Sequence, residues 1–149
     1  MILTPHLILG AVIGSKIEYI PLAIILAFLS HYILDLIPHI EYSIKNIEKK
    51  QWQKSLPETI KIFLDFALGI LLILFFSDNQ PTVFICAFFA ISPDGISFLN
   101  YFISNKILKK LSDFHHEKIH FLKNKKISIF WRILSQVLIV LISIFLLKN

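Results

Sequence analysis

Three apolar runs in this chain are too long to be hidden inside a soluble domain of its size. Residues 59–76, 81–103 and 128–147 each approach the roughly 20 residues that a helix needs to cross a hydrocarbon layer. A fourth run, residues 21–37, ends at Pro38, which disfavours helix continuation. With 149 residues, 56% of them hydrophobic, a soluble fold would leave much of this surface in water. The expected fold is all-α: a single integral-membrane helical bundle over residues 1–149, with about four spans plus a short N-terminal re-entrant or interfacial helix.

Local signals set the expected boundaries. Thr4-Pro5 reads as a helix start, a cap followed by an N1 proline, for a segment that ends near residue 14 and is too short to span. Ser55-Leu56-Pro57-Glu58 has capping-box spacing and opens the next long helix. Ser92-Pro93-Asp94-Gly95 interrupts residues 81–103, where proline and glycine are expected to break or kink the helix and Ser92 to cap its second half. The chain has no internal repeat. The few residues before His6 carry no Lys or Arg and no cleavage-site pattern follows, so a secretory signal peptide is not expected.

The formal charge of +5 is mostly lysine, concentrated in loops 41–55 and 105–126. Lysine-rich loops are retained in the cytoplasm, which points to a prokaryotic cytoplasmic membrane with both loops inside and the 77–80 turn outside. The expected partners are membrane lipids, with anionic head groups at the lysine loops. The lysines flank spans and form no aromatic-interleaved face, so nucleic acid is not an expected partner. The single cysteine, Cys86, permits no intrachain disulfide. Nothing in the sequence sets the oligomeric state.

Within this apolar frame, Ser30-His31-Tyr32-Ile33-Leu34-Asp35-Leu36-Ile37-Pro38-His39 puts His31, Asp35 and His39 at four-residue steps, on one helix face. Ionisable groups at membrane depth are costly and mark functional sites. At about 1.5 Å per helical residue, Asp35 lies a few ångströms inside the inner boundary, His31 and Asp65 roughly 10 Å in, and Asp94 roughly 14 Å in. His39 sits at the boundary and His6 near it, so four segments deliver ionisable residues to one leaflet. The preferred metal ligands are His6, His31, Asp35 and Asp94, with His39 and Asp65 as further candidates. Mixed His/Asp donors suit a divalent ion with an open position, zinc first and manganese or iron next. Asp65 or Asp94 is the candidate catalytic base. Asp65 also has a plain alternative, pairing with Lys61 at i−4, and His31 with Asp35 can simply satisfy each other within the bundle.

His116-Glu117-Lys118-Ile119-His120 matches the H-E-x-x-H pattern of zinc metalloproteases, but it lies in a polar lysine loop. There His115, His116, Glu117 and His120 are candidates for additional ligands or for a gate closing over the intramembrane cluster. Site-2 intramembrane proteases also pair H-E-x-x-H with an Asp-Gly motif, in the opposite order.

Thr4-Pro5-His6, Ser30-His31-x3-Asp35-x2-Pro38-His39 and Ile91-Ser92-Pro93-Asp94 together resemble the small bacterial and archaeal proteins described as predicted membrane-bound, metal-dependent hydrolases. The resemblance covers most of the chain and implies a helical membrane fold and metal-dependent hydrolysis. The leading functional expectation is a membrane hydrolase with one divalent metal, acting on an ester or phosphoester, with lipid as the natural substrate class. The alternatives are a small ion or proton-relay transporter, a non-enzymatic assembly protein and, ranked lower, an intramembrane metalloprotease.

Overall fold

A computed structural model of the protein describes residues 1–103, 105–115 and 127–149. Among them are seven helices and no strand: α1 Leu3–Lys16, α2 Ile20–Asp35, α3 Lys45–Glu48, α4 Leu56–Phe76, α5 Pro81–Phe102, α6 Lys106–Phe114 and α7 Ile129–Lys148, with one 3-10 turn at Trp52–Lys54. Three of these, α4, α5 and α7, are long and apolar enough to cross a membrane, one fewer than the sequence suggests. The difference lies in α2, whose 16 residues give about 24 Å of helix against the roughly 30 Å of a hydrocarbon core. Outward faces of the long helices are apolar, with Phe63, Leu64 and Phe75 on α4 and Leu141, Ile142 and Phe145 on α7 all exposed.

α1 is the centre of the bundle, not a surface element. It packs against α2, α4, α5 and α7, and Leu7, Ile8, Ala11 and Val12 form the core with Ile73, Val83, Ala87 and Leu147. Glycine makes this possible. A Cβ on Gly10 would lie 2.6 Å from Ala90 Cβ and 2.7 Å from the Cys86 carbonyl oxygen. On Gly14 it would lie 2.6 Å from the Thr82 carbonyl oxygen and 2.9 Å from Val83 Cα. Small residues let helix backbones approach closely where hydrocarbon surrounds the bundle and the hydrophobic effect does not drive association.

The same four-residue stripe recurs on each of the three closely packed helices. On α1 it runs through Gly14, Gly10 and His6; on α5 through Cys86, Ala90 and Asp94; on α2 through Ala23, Ala27, His31 and Asp35. Ala23, Ala27, Cys86 and Ala90 are fully buried together. Because α1 starts where α2 and α5 end, all three stripes run from small residues into ionisable ones at the same end.

Carboxylates on α4 secure that end. Asp65 accepts the backbone N–H groups of Leu3 and Thr4 at 2.6 and 3.0 Å and the Thr4 hydroxyl at 2.7 Å, so it caps α1 from outside. The expected cap at Thr4 is thereby relocated: α1 begins at Leu3 and Thr4 serves as a donor. Glu58 likewise reaches away from Ser55 to cap α3 through Asn46 N and Ile47 N, both at 3.1 Å, while the Ser55 hydroxyl bonds to the Trp52 carbonyl. The anticipated capping box is therefore not formed. α7 fastens the segment after α2, with Ser135 Oγ donating to Pro38 O and Gln136 Nε2 to Ile40 O at 2.7 Å.

Replacing Gly10 by Ala is expected to lower the stability of the detergent-solubilised protein by about 1–3 kcal/mol, because the atoms it meets are mostly backbone and a short side chain. Leu141→Ala, on the exposed face of α7, is expected to change it by under about 0.5 kcal/mol. Denaturant titration followed by circular dichroism measures both.

Candidate metal centre

Helix α5 runs through Pro93 without the expected break. Proline removes the N–H that Phe89 O would accept, and Ser92 Oγ takes its place at 2.8 Å. Ser92 thus mends the helix instead of capping a second half. One residue along, the Ala90 carbonyl accepts the Nδ1–H of His31 at 2.7 Å, which the absence of a larger side chain at position 90 allows. This bond fixes the ring so that Nε2 points into the end of the bundle, the orientation usual for a metal-ligating histidine.

Asp35 is the hub. Its Oδ2 lies 3.1 Å from His31 Nε2 and 3.4 Å from His115 Nε2. Asp94 Oδ1 lies 3.6 Å from His31 Nε2 and 3.5 Å from His115 Nε2. Asp35 Oδ1 faces the Met1 ammonium nitrogen at 2.6 Å, His6 Nε2 at 3.2 Å and His39 Nε2 at 3.9 Å. His6 stacks on His31 with ring centroids 4.1 Å apart. His6, His31 and Asp35 have fully buried side chains, and Asp94 is the partly open member at 28% exposure.

His31, Asp35, Asp94 and His115 can hold a metal ion, since one ligand atom from each lies within 4.8 Å of all the others. Ligand bonds of about 2.0–2.2 Å in a tetrahedral site put donor atoms about 3.3–3.6 Å apart. The four cross-distances between the two imidazoles and the two carboxylates, 3.1 to 3.6 Å, span that value. His31 Nε2 is buried between its two carboxylate neighbours and makes no hydrogen bond of good geometry to either.

Of the sequence candidates, the structure brings His6, His31, Asp35, His39, Asp94 and His115 together. Asp65 stands apart, its carboxylate occupied by the α1 N-terminus and by the Tyr42 hydroxyl. Burial, reinforced by Asp65, holds the Tyr42 hydroxyl far above the ordinary phenol range, so it remains a donor to that carboxylate. His116, Glu117 and His120, and with them the H-E-x-x-H motif, lie outside the described residues. Sequence reasoning missed Glu41, whose Oε1 is 3.3 Å from His39 Nε2. It also missed the stripes, although Gly10-x3-Gly14 and Ala23-x3-Ala27 are visible in the chain.

A cavity of about 900 Å³ opens onto Asp35, His39 and Asp94. Its walls are largely apolar, with Ile62, Ile91 and Phe98 among them, and Lys45 and Arg132 also line it.

His31→Ala is expected to abolish stoichiometric divalent metal binding, read by elemental mass spectrometry on purified protein. Asp65→Asn is expected to retain the metal while costing about 1–3 kcal/mol of stability through its weakened cap. No protein-family model, curated protein or solved structure matches the chain.

Proposed function

We propose that this protein is a membrane-embedded metal-dependent hydrolase that cleaves an ester or phosphoester of a lipid, the activity implied by its resemblance to the predicted membrane-bound, metal-dependent hydrolases. The observation that carries this reading is a two-imidazole, two-carboxylate set, one ligand atom of each within 4.8 Å of the others, that opens into a mostly apolar cavity containing cationic side chains. Zinc is the first candidate by donor type, with manganese and iron next.

A divalent ion held there supplies Lewis acidity and water acidic enough to ionise near neutral pH. His31, fixed by Ala90, and His115 would hold the ion together with Asp35. Asp94, the ligand most open to the cavity, is the residue we assign to accept the proton; Asp65 is committed to its cap. Ser97 lies one turn beyond Asp94 on the cavity wall, 5% exposed, and its hydroxyl has no hydrogen-bond partner. It is suited to a polar atom of the substrate, while Arg132 and Lys45 suit an anionic head group.

In this reading α4, α5 and α7 cross the membrane, and α1 with α2 forms a hairpin that enters and leaves on the side of the site. That side carries residues 41–55 and 105–115 and is cytoplasmic by the lysines there. An ion or proton relay is the competing reading. It needs polar groups continuing across the bundle, whereas beyond His6, His31 and Asp94 the stripes continue only as Gly, Ala and Cys.

Purified protein loaded with zinc or manganese is expected to hydrolyse members of a panel of lipid carboxyl esters and phosphoesters. Chelation should stop turnover, readdition restore it, and Asp94→Asn reduce it at least about 100-fold. A metal-loaded protein inert toward the whole panel overturns the hydrolase reading. Ser97→Ala is expected to raise KM several-fold with kcat little changed; equal loss in kcat instead would place Ser97 in the chemical step.

A further inference from the structure

The contacts of Asp35 fall into two sets, one for each carboxylate oxygen. Oδ2 faces His31 and His115, which share Asp94 as a second carboxylate neighbour. Oδ1 faces His6 and His39, and His39 has Glu41 as its second carboxylate neighbour. Each side thus offers two imidazole nitrogens, one carboxylate of its own and one oxygen of Asp35.

The orientation of the rings repeats as well. His31 gives its Nδ1–H to the Ala90 carbonyl and turns Nε2 toward Asp35 and Asp94. His39 gives its Nδ1–H to the Ile37 carbonyl at 2.6 Å and turns Nε2 toward Asp35 and Glu41. His39 Nε2 is in hydrogen-bond contact with Glu41 at 3.3 Å, and a cation taking that position would replace the shared proton. His6 is completely buried with both ring nitrogens lacking a hydrogen-bond partner, a costly state for a group with no ligand. The stacked His6 and His31 rings, with centroids 4.1 Å apart, meet Asp35 at different oxygens, His6 at Oδ1 and His31 at Oδ2. A positive group already stands on the Oδ1 side, the Met1 ammonium.

We infer that Asp35 bridges two divalent cations, one held by His31, His115 and Asp94 and a second held by His6, His39 and Glu41. The inference extends the metal reading of the previous subsection and replaces the single ion expected from the sequence. The first position is the more closed, its four ligand atoms lying within 4.8 Å of one another. The second is bounded by His39 and Glu41, which both line the cavity, so its ion is the more exchangeable and the nearer to a substrate's anionic oxygens. Carboxylate-bridged pairs about 3.5–4 Å apart are a recurrent arrangement in phosphoester hydrolysis, which favours a phosphoester over a carboxyl ester here.

The test is metal stoichiometry of the full chain in detergent, by equilibrium dialysis against manganese and elemental mass spectrometry, with electron paramagnetic resonance as a second readout. Two ions per chain with a spin-coupled manganese signal are expected. His39→Ala and Glu41→Gln, both in the segment after α2 and not in the helix core, should each reduce the content to one ion and restore an uncoupled six-line spectrum. One ion in the unaltered chain overturns the second position and leaves the first. Two ions without coupling, or two ions that survive both substitutions, overturn the bridge. No bound ion at all overturns the metal reading itself.

Discussion

The close approach of three helix backbones is the constraint on which the rest of the structure depends. In hydrocarbon, helices gain nothing by hiding apolar side chains from water, and association rests on packing between surfaces that fit. Gly10 and Gly14 give α1 a flat face that meets Cys86, Ala87 and Ala90 at backbone distance, and Ala23 and Ala27 join the same contact from α2. A side chain larger than these at the centre would separate the helices, and the groups one further step along the stripes would move apart with them. His6, His31 and Asp94 meet because they are the next residues in register on faces that already touch. The distance from His31 Nδ1 to the Ala90 carbonyl is a direct product of that packing.

Carboxylates at this end of the bundle do two different jobs, distinguished by what faces them. Glu58 and Asp65 lie seven residues apart, hence on one face of α4, and both meet backbone N–H groups at the starts of other helices. There they satisfy donors that have no partner within their own helix and they complement the positive ends of the helix dipoles. Asp35 and Asp94 face imidazole nitrogens. The first pair builds the end of the bundle; the second pair occupies the space so enclosed.

Much of this is written in the chain, and the exceptions have physical causes. The apolar runs fix α4, α5 and α7, and the four-residue spacing with one-sided depth singles out His6, His31, Asp35, His39 and Asp94. Depth orders residues along the membrane normal but says nothing about direction around a helix, which is why Asp65, at the depth of His31, stood among the further candidates. Length alone made α1 a re-entrant or interfacial helix, and its glycines carry it into the centre of the bundle. Pro93 was expected to break α5 because the rule counts the lost N–H and not the neighbouring Ser92 hydroxyl that replaces it. Glu41 sits outside any helix, and no periodicity connects it to His39.

The arrangement around Asp35 also bears on why the cluster lies at the end of the bundle and not at its middle. Two carboxylates and several imidazoles taken out of water lose solvation that their contacts with one another must offset. A cation held among them would add positive charge, and it would have to reach them. The stripes of Gly, Ala and Cys lie on one side of the cluster, and the cavity with Arg132 and Lys45 on the other. Packing is therefore tightest along the stripes and yields to open volume beside Asp35, His39 and Asp94. Asp94 and His39 stand on that border, each touching the buried set and the cavity at once.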